Sequence, residues 1–246
     1  MRAIRIGPVA VQVDDDQPTF WDRVEANAWE PGTLLALQPL LGPGVLFLDI
    51  GAWIGPLTLF AAGLGARVIA VEADPRARAQ LGRNLTANPR LADRVTVIAR
   101  AAAPSPGPVR LGARRKPGDS MSSALLAGAP DTWDVEAVTP EELASMLGPG
   151  ERLVIKLDIE GGEYVLLPAL APLIERPGAN LVLSLHPGIL VETGEADPAG
   201  RALAALAIVS DWNAARIGEG GSMPDRLSRD SLSGHDTWLL HRRDRD

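Results

Sequence analysis

The chain has 246 residues, a formal net charge of −7 and no cysteine. Disulfides, Cys-ligated zinc, iron–sulfur clusters and thiolate nucleophiles are therefore excluded, and the charge opposes general affinity for nucleic acid or anionic membranes. Apolar residues make up 46% and aromatics only 4%, so global disorder is excluded and the expected core is aliphatic.

The start, Met1-Arg-Ala-Ile-Arg-Ile-Gly-Pro, lacks the long apolar segment of a signal peptide, and a cytoplasmic location is expected. Residues 3–13 read as a hairpin with a Gly-Pro turn. Thr19 is the expected N-cap of a helix through Ala28, and a second helix is expected over 33–41. Pro31 to Leu48 carries no formal charge over 18 residues, the length of a membrane span. Its prolines and glycines break a continuous helix, so the reading is a short helix, a turn at 42–44 and a strand.

From Val45 the pattern changes. VLFLDI, RVIAVE (67–72) and RVTVIA (94–99) are short apolar strands, with helices over 56–64 and 75–87 between them. This alternation predicts a parallel sheet covered by helices on both faces. Residues 100–135 read as a loose segment, too long for a plain connection. A strand over 135–139 and a helix over 141–147 follow. RLVIKLDIEGGE is a fourth sheet strand, then a helix over 162–170, the strand ANLVLSLHP (179–187) and a helix over 198–209. WNAARI and TWLLHRR (237–243) close a seven-stranded sheet, antiparallel at that edge. The expected organisation is an N-terminal hairpin and helical cap (1–44) on one globular α/β domain (45–246).

Three segments carry chemistry. The first is FLDIGAWIG, with Asp49, Gly51, Ala52, Trp53 and Gly55 at a strand-to-helix turn where glycine permits tight geometry and close ligand approach. Glu72 ends the next strand, where a carboxylate can accept both ribose hydroxyls of an adenosine-type ligand. There is no G-x-x-x-x-G-K-[ST]. Gly63-Leu-Gly65 precedes a strand and reads as a helix C-cap. The turn offers few bare glycines for a pyrophosphate, which puts S-adenosylmethionine ahead of NAD.

The second segment is VIKLDIEGGE. Lys156, Asp158 and Glu160 alternate onto one face at a strand end. The plain alternative is a Lys156–Asp158 ion pair with a solvated Glu160. A divalent metal is left open, because two carboxylates offer oxygens but one strand end is not a full ligand set. The third segment is LSLHP, where Ser184 and His186 share a face. Histidine suits a general base near neutral pH. A Ser-His-Asp hydrolase is disfavoured without G-x-S-x-G. Ser120, Ser122 and Ser123 suggest a lid or substrate loop against a plain flexible loop, and Arg114-Arg-Lys116 a solvated patch or a guide for an anionic substrate.

Together these segments resemble the FkbM family of S-adenosylmethionine-dependent methyltransferases over about residues 28–188. The I-K-x-D-x-E-G-x-E string (155–163) combined with D-I-G-A-x-I-G (49–55) carries the resemblance. It implies a Rossmann-like class I methyltransferase fold that O-methylates a hydroxyl on a sugar or small natural product. By the resemblance Asp49, Gly51, Ala52, Gly55 and Glu72 fall on the cofactor motif, and Asp158, Glu160 and His186 on the active-site side. Trp53, where the family usually has Asn, and Ala101, after the third strand, complete the expected cofactor set. Ser184 stands where Glu is common and Pro140 where Asp is common. N-methylation of an amine and non-catalytic cofactor binding are the alternatives. The expected partner is a small-molecule acceptor, not nucleic acid or membrane, and the oligomeric state is left open.

Overall fold

A computed structural model describes residues 1–232 and 234–242. Its strands are β1 (Arg2–Ile6), β2 (Val9–Val13), β3 (Val45–Ile50), β4 (Arg67–Val71), β5 (Val95–Ile98), β6 (Ala101–Ala102), β7 (Pro108–Ala113), β8 (Ser122–Ser123), β9 (Thr132–Val138), β10 (Arg152–Leu157), β11 (Asn180–Leu185), β12 (Asn213–Gly218), β13 (Gly221–Pro224) and β14 (Asp236–His241). The main sheet has the order β13-β12-β14-β11-β10-β3-β4-β5. From β11 to β5 all neighbours are parallel. β14, β12 and β13 extend the other edge through antiparallel pairs.

The central strands are apolar because both faces are covered. β3 is buried at every position. Leu46, Leu48 and Ile50 enter one core while Val45 and Phe47 enter the other. The two-residue period of a strand does this sorting. Hairpin β1–β2 joins the second core through Ile4, Ile6, Val9, Val11 and Val13. Pro18, Pro31, Pro56, Pro75, Pro140 and Pro198 each open a helix, where a missing N–H costs nothing and φ is already helical.

The main sheet has eight strands among the described residues, one more than expected. The addition, β13, pairs with β12 across a hairpin from Gly218 to Gly221. Its sequence, Gly-Ser-Met-Pro, has no β-branched residue or apolar alternation to announce it. The larger correction concerns 100–135. This segment is not loose: β6, β7, β8 and β9 form a second sheet in the order β6-β9-β7-β8. Ala101, Leu111, Ala113, Ala137 and Val138 are its buried apolar residues. Arg110 and Asp134 face each other across β7 and β9 and pair at 2.7 Å. Such half-exposed, charge-paired strands lack the apolar runs that mark the main sheet.

Helix boundaries also move. Pro18 is the first residue of Pro18–Glu25 and Gln17 precedes it, so Thr19 lies inside the first turn rather than capping it. The second helix is Pro31–Leu37. The helix expected over 162–170 is Glu163–Leu166 followed by a 3₁₀ turn, Leu167–Leu170. Pro168 removes a backbone donor there. Pro187–Glu192 is an additional helix. Arg243, the last residue of the expected final strand, lies outside the described residues. The uncharged stretch 31–48 divides into a helix and the start of β3. Among the described residues no helix is long and apolar enough to cross a membrane.

Candidate functional site

Chain direction places the site. β3 feeds β4 and β5 on one side, whereas its neighbour β10 feeds β11 on the other. The connections leaving these two strands run to opposite sides of the sheet, an arrangement that opens a crevice at their carboxyl ends. Register then selects the residues. Lys156 lies opposite Asp49 on one side and Val182 on the other. Counting by twos, Asp49, Lys156, Asp158, Ser184 and His186 share one face.

The loop after β3 is unusually constrained. Gly51 has φ +83° and Trp53 has φ +50°. A bulky residue in the left-handed region costs about 1–3 kcal/mol and persists only where surroundings impose it. Here both ends of Trp53 are held. Its backbone N–H donates to Glu72 Oε2 at 2.6 Å, and its indole N–H donates to the Gly118 carbonyl at 3.1 Å. Glu72 Oε1 accepts the Asp74 N–H at 2.7 Å. Asp74 in turn caps the helix Pro75–Thr86 and accepts from Gly118 N–H and Ser122 Oγ. Segment 118–123 is thereby fastened over the crevice, and Ser123 Oγ donates to the Glu160 carbonyl at 2.6 Å.

Beneath it lies an apolar slot of about 100 Å³, lined by Ile50, Val71, Ala101, Val109 and Leu111 with Glu72 at its edge. Glu72 is 8% exposed. Burial pushes its carboxyl up to about 7, against 4.5 ordinarily, although the two N–H donors pull it down. A neutral Glu72 is thus favoured by folding. That stability is full below pH 4.5 and is lost as pH rises through 7. The gap corresponds to roughly 3 kcal/mol. Urea unfolding is expected to show free energy falling from about pH 5 to about pH 8, and Glu72→Gln to flatten part of that fall. An unchanged slope in the variant would remove Glu72 from the account.

A polar chamber of about 440 Å³ adjoins the slot and shares Gly51, Trp53, Ser120, Asp158 and Glu160 with it. Asp49 and Ala52 line the chamber; Gly55 lines neither space and opens the helix Pro56–Gly63 instead. Asp49 is 1% exposed. Oδ2 accepts from Thr58 Oγ1 at 2.6 Å, whereas Oδ1 has no hydrogen bond. Burial raises its carboxyl despite Lys156 nearby. Lys156 donates to the Gly51 carbonyl at 2.9 Å and lies 3.4 Å from Asp158 Oδ2 and 3.8 Å from Asp49 Oδ1. Burial pulls its ammonium down, but Asp158, Asp49 and Glu30 outweigh that and the net direction is up. For Asp158 burial pushes up, but Lys156 and His186 hold the carboxyl below its usual range.

The Lys156–Asp158 pair of the plain alternative exists, but Glu160 is not solvated: its side chain is 16% exposed and lies 3.7 Å from His186 Nε2. Its backbone, like that of Trp53, is left-handed. His186 Nε2 also lies 3.4 Å from Asp158 Oδ1. Glu163, missed in the sequence reading, sets the imidazole in place. Its fully buried carboxylate accepts from His186 N–H at 3.0 Å and meets Nδ1 at 2.8 Å through Oε1, while Oε2 accepts from Gly161 N–H. The signal was the last acid of the VIKLDIEGGE string. Burial lowers the imidazole, but Glu163 and the two other carboxylates push it up to about 9. Ser184 Oγ pairs with Thr237 Oγ1 across β14, not with His186, so no Ser-His dyad forms. Arg114 of the basic triplet pairs with Glu192.

Residues 1–44 contribute more than a cover. Phe20, Arg23, Trp29 and Glu30 line the chamber. Phe20 meets Trp53 edge-on at 4.6 Å and Trp29 at 5.2 Å. Burial, with the Asp158 charge, pushes Glu30 up to about 7. No periodicity links these residues to the crevice; only packing does.

No protein-family model matches the chain and no curated protein matches it. Among solved structures, the chain is similar to a candidate rRNA-methylase from Clostridium thermocellum, at 14% identity and TM-score 0.52, over 86% of this chain and 94% of that one. A methyltransferase FkbM from Methylobacillus flagellatus KT is 20% identical over 80% of this chain, with TM-score 0.48. A SAM-dependent O-methyltransferase from Thermotoga maritima is 12% identical over 94% of this chain and 71% of that one, with TM-score 0.47. The chain spans 43% of the Methylobacillus protein's length. In fold, the chain is similar to the Clostridium protein.

Proposed function

We propose that the protein is an S-adenosylmethionine-dependent methyltransferase that O-methylates a hydroxyl on a sugar or small natural product. The observation that carries this reading is Glu72: a buried carboxylate at the end of β4, bound to the N–H of the Trp53 turn, at the edge of an apolar slot. The slot and its adjoining chamber suit a ligand with an apolar ring at one end and charged groups at the other. When bound, the cofactor supplies an electrophilic methyl group on its sulfonium sulfur.

Each residue then has a task. Glu72 has lone pairs left on both oxygens to accept ribose hydroxyls. Ile50, Val71 and Ala101 bury the purine. Asp49 offers Oδ1, which makes no hydrogen bond and lies 3.8 Å from Lys156 Nζ, to the amino-acid ammonium. Asp158 reaches both spaces, and Lys156 keeps it ionised, so it accepts the proton of the acceptor hydroxyl. His186 and Glu160 orient that acceptor. Trp53 and segment 118–123 exclude water. Positioning alone supplies several kcal/mol of such a barrier.

The wild-type protein is expected to bind S-adenosylmethionine and its demethylated product by calorimetry. Glu72→Ala is expected to weaken both at least tenfold while remaining folded, a change of about 1.4 kcal/mol or more. Absence of binding to the wild type would falsify the proposal. Binding without turnover on any hydroxyl or amine would favour a non-catalytic role. The acidic lining of the chamber, including Glu30 and Asp236, favours N-methylation of an amine as the second reading. Product analysis with isotopically labelled donor separates the two.

A further inference from the structure

We infer that Asp158, Glu160 and His186 form a binding site for one divalent first-row transition ion. Each offers one donor atom, and the three atoms lie within 4.8 Å of one another. His186 Nε2 stands 3.4 Å from Asp158 Oδ1 and 3.7 Å from Glu160 Oε1. These gaps exceed a hydrogen bond. Donors bonded at about 2.1 Å to a shared ion at tetrahedral angles stand about 3.4 Å apart, the His186–Asp158 spacing; the Glu160 oxygen closes on the ion by a small side-chain rotation.

A second observation concerns the imidazole itself. His186 is 8% exposed, and among the described residues its Nε2 has no hydrogen bond; it faces the Asp158 and Glu160 carboxylate oxygens instead. Its Nδ1 is taken by Glu163, whose side chain is fully buried. A carboxylate on the far ring nitrogen is the usual support of a metal-bound histidine: it fixes the tautomer and aims the other nitrogen at the ion. Here it aims Nε2 at two carboxylate oxygens. Asp158 is likewise divided, because Lys156 takes Oδ2 and leaves Oδ1 toward His186.

The donor set decides the kind of ion. One imidazole with two carboxylates suits Mn²⁺, Fe²⁺ or Zn²⁺, whereas Mg²⁺ and Ca²⁺ prefer oxygen alone. Three protein donors leave positions for water or an acceptor oxygen. The ion site stands without the methyl-transfer reading. Its use, holding an acceptor oxygen in the chamber, rests on that reading.

Mn²⁺ is the probe. Titration of the wild-type protein with MnCl₂, followed by electron paramagnetic resonance, is expected to show one bound ion per chain. Pulsed measurements are expected to show coupling to an imidazole nitrogen. His186→Gln, Asp158→Asn and Glu160→Gln are each expected to weaken binding at least tenfold. Glu163→Gln is expected to weaken it roughly 10–100-fold and to alter the nitrogen coupling. No bound Mn²⁺ at millimolar concentration, bound Mn²⁺ without nitrogen coupling, or affinity unchanged in His186→Gln would each overturn the site and leave an imidazole held only by carboxylates. The nitrogen signal is read on the wild type, so it does not depend on a variant folding. Calorimetry with S-adenosylmethionine is run separately. Mn²⁺ without cofactor binding sinks the methyl-transfer reading alone, and the converse sinks the ion site alone.

Discussion

Asp158→Asn is expected to lower methyl transfer roughly 10²–10⁴-fold, the usual worth of a positioned acid–base group. On the proposed function the loss falls on kcat, because Asp158 is the group that would take the hydroxyl proton, whereas Glu72 would hold the ribose. Cofactor affinity, read by calorimetry, is expected to stay within about threefold, under 1 kcal/mol. The geometry explains the division. The carboxylate stands between Lys156 at 3.4 Å and His186 at 3.4 Å, whereas Glu72 serves the slot from the end of β4. Asparagine preserves shape and one acceptor oxygen but cannot take the proton. Turnover near the wild-type rate in this variant would move the base elsewhere, with Glu160 the next residue to replace.

Gly51→Ala is expected to destabilise the protein by about 2–5 kcal/mol, the sum of a left-handed backbone penalty and overpacking. The loops after β3 and β10 approach so closely here that a Cβ would lie 1.9 Å from the Asp158 carbonyl oxygen. That obstacle is backbone, so it cannot rotate away. Moving it displaces Asp158 itself, and cofactor binding is expected to fail with stability. Gly44→Ala is the control. Gly44 has φ +78° but nothing within 4 Å of its Cβ position, so only the backbone term of about 1–2 kcal/mol applies. Urea unfolding of both variants separates the two terms. Equal losses would show that contact with Asp158 contributes nothing.

Much of the site was legible before the fold was known. Asp49 and Glu72 stand at the ends of consecutive apolar strands, and that placement needs only strand period and chain order. Asp158 and His186 were legible for the same reason. Glu163 was not, because its role depends on a helix turning it back toward the end of β11. Phe20, Trp29 and Glu30 were invisible, since nothing local ties an N-terminal helix and the connection after it to a crevice formed by residues far along the chain. The second sheet was hidden by composition: its strands are half-exposed and carry paired charges such as Arg110 and Asp134.

By itself the sequence determined what local physics controls. The absence of cysteine removed thiolate chemistry, prolines placed helix starts, and wholly apolar runs marked the buried parallel strands. It also set which residues stand at strand ends. Tertiary structure alone decided how those ends meet. Register brought Asp49, Lys156 and Asp158 onto one face. Burial then raised Glu72, and three carboxylates converged on one imidazole. These are long-range effects of desolvation and charge, and they arise only when distant segments share the same few ångströms.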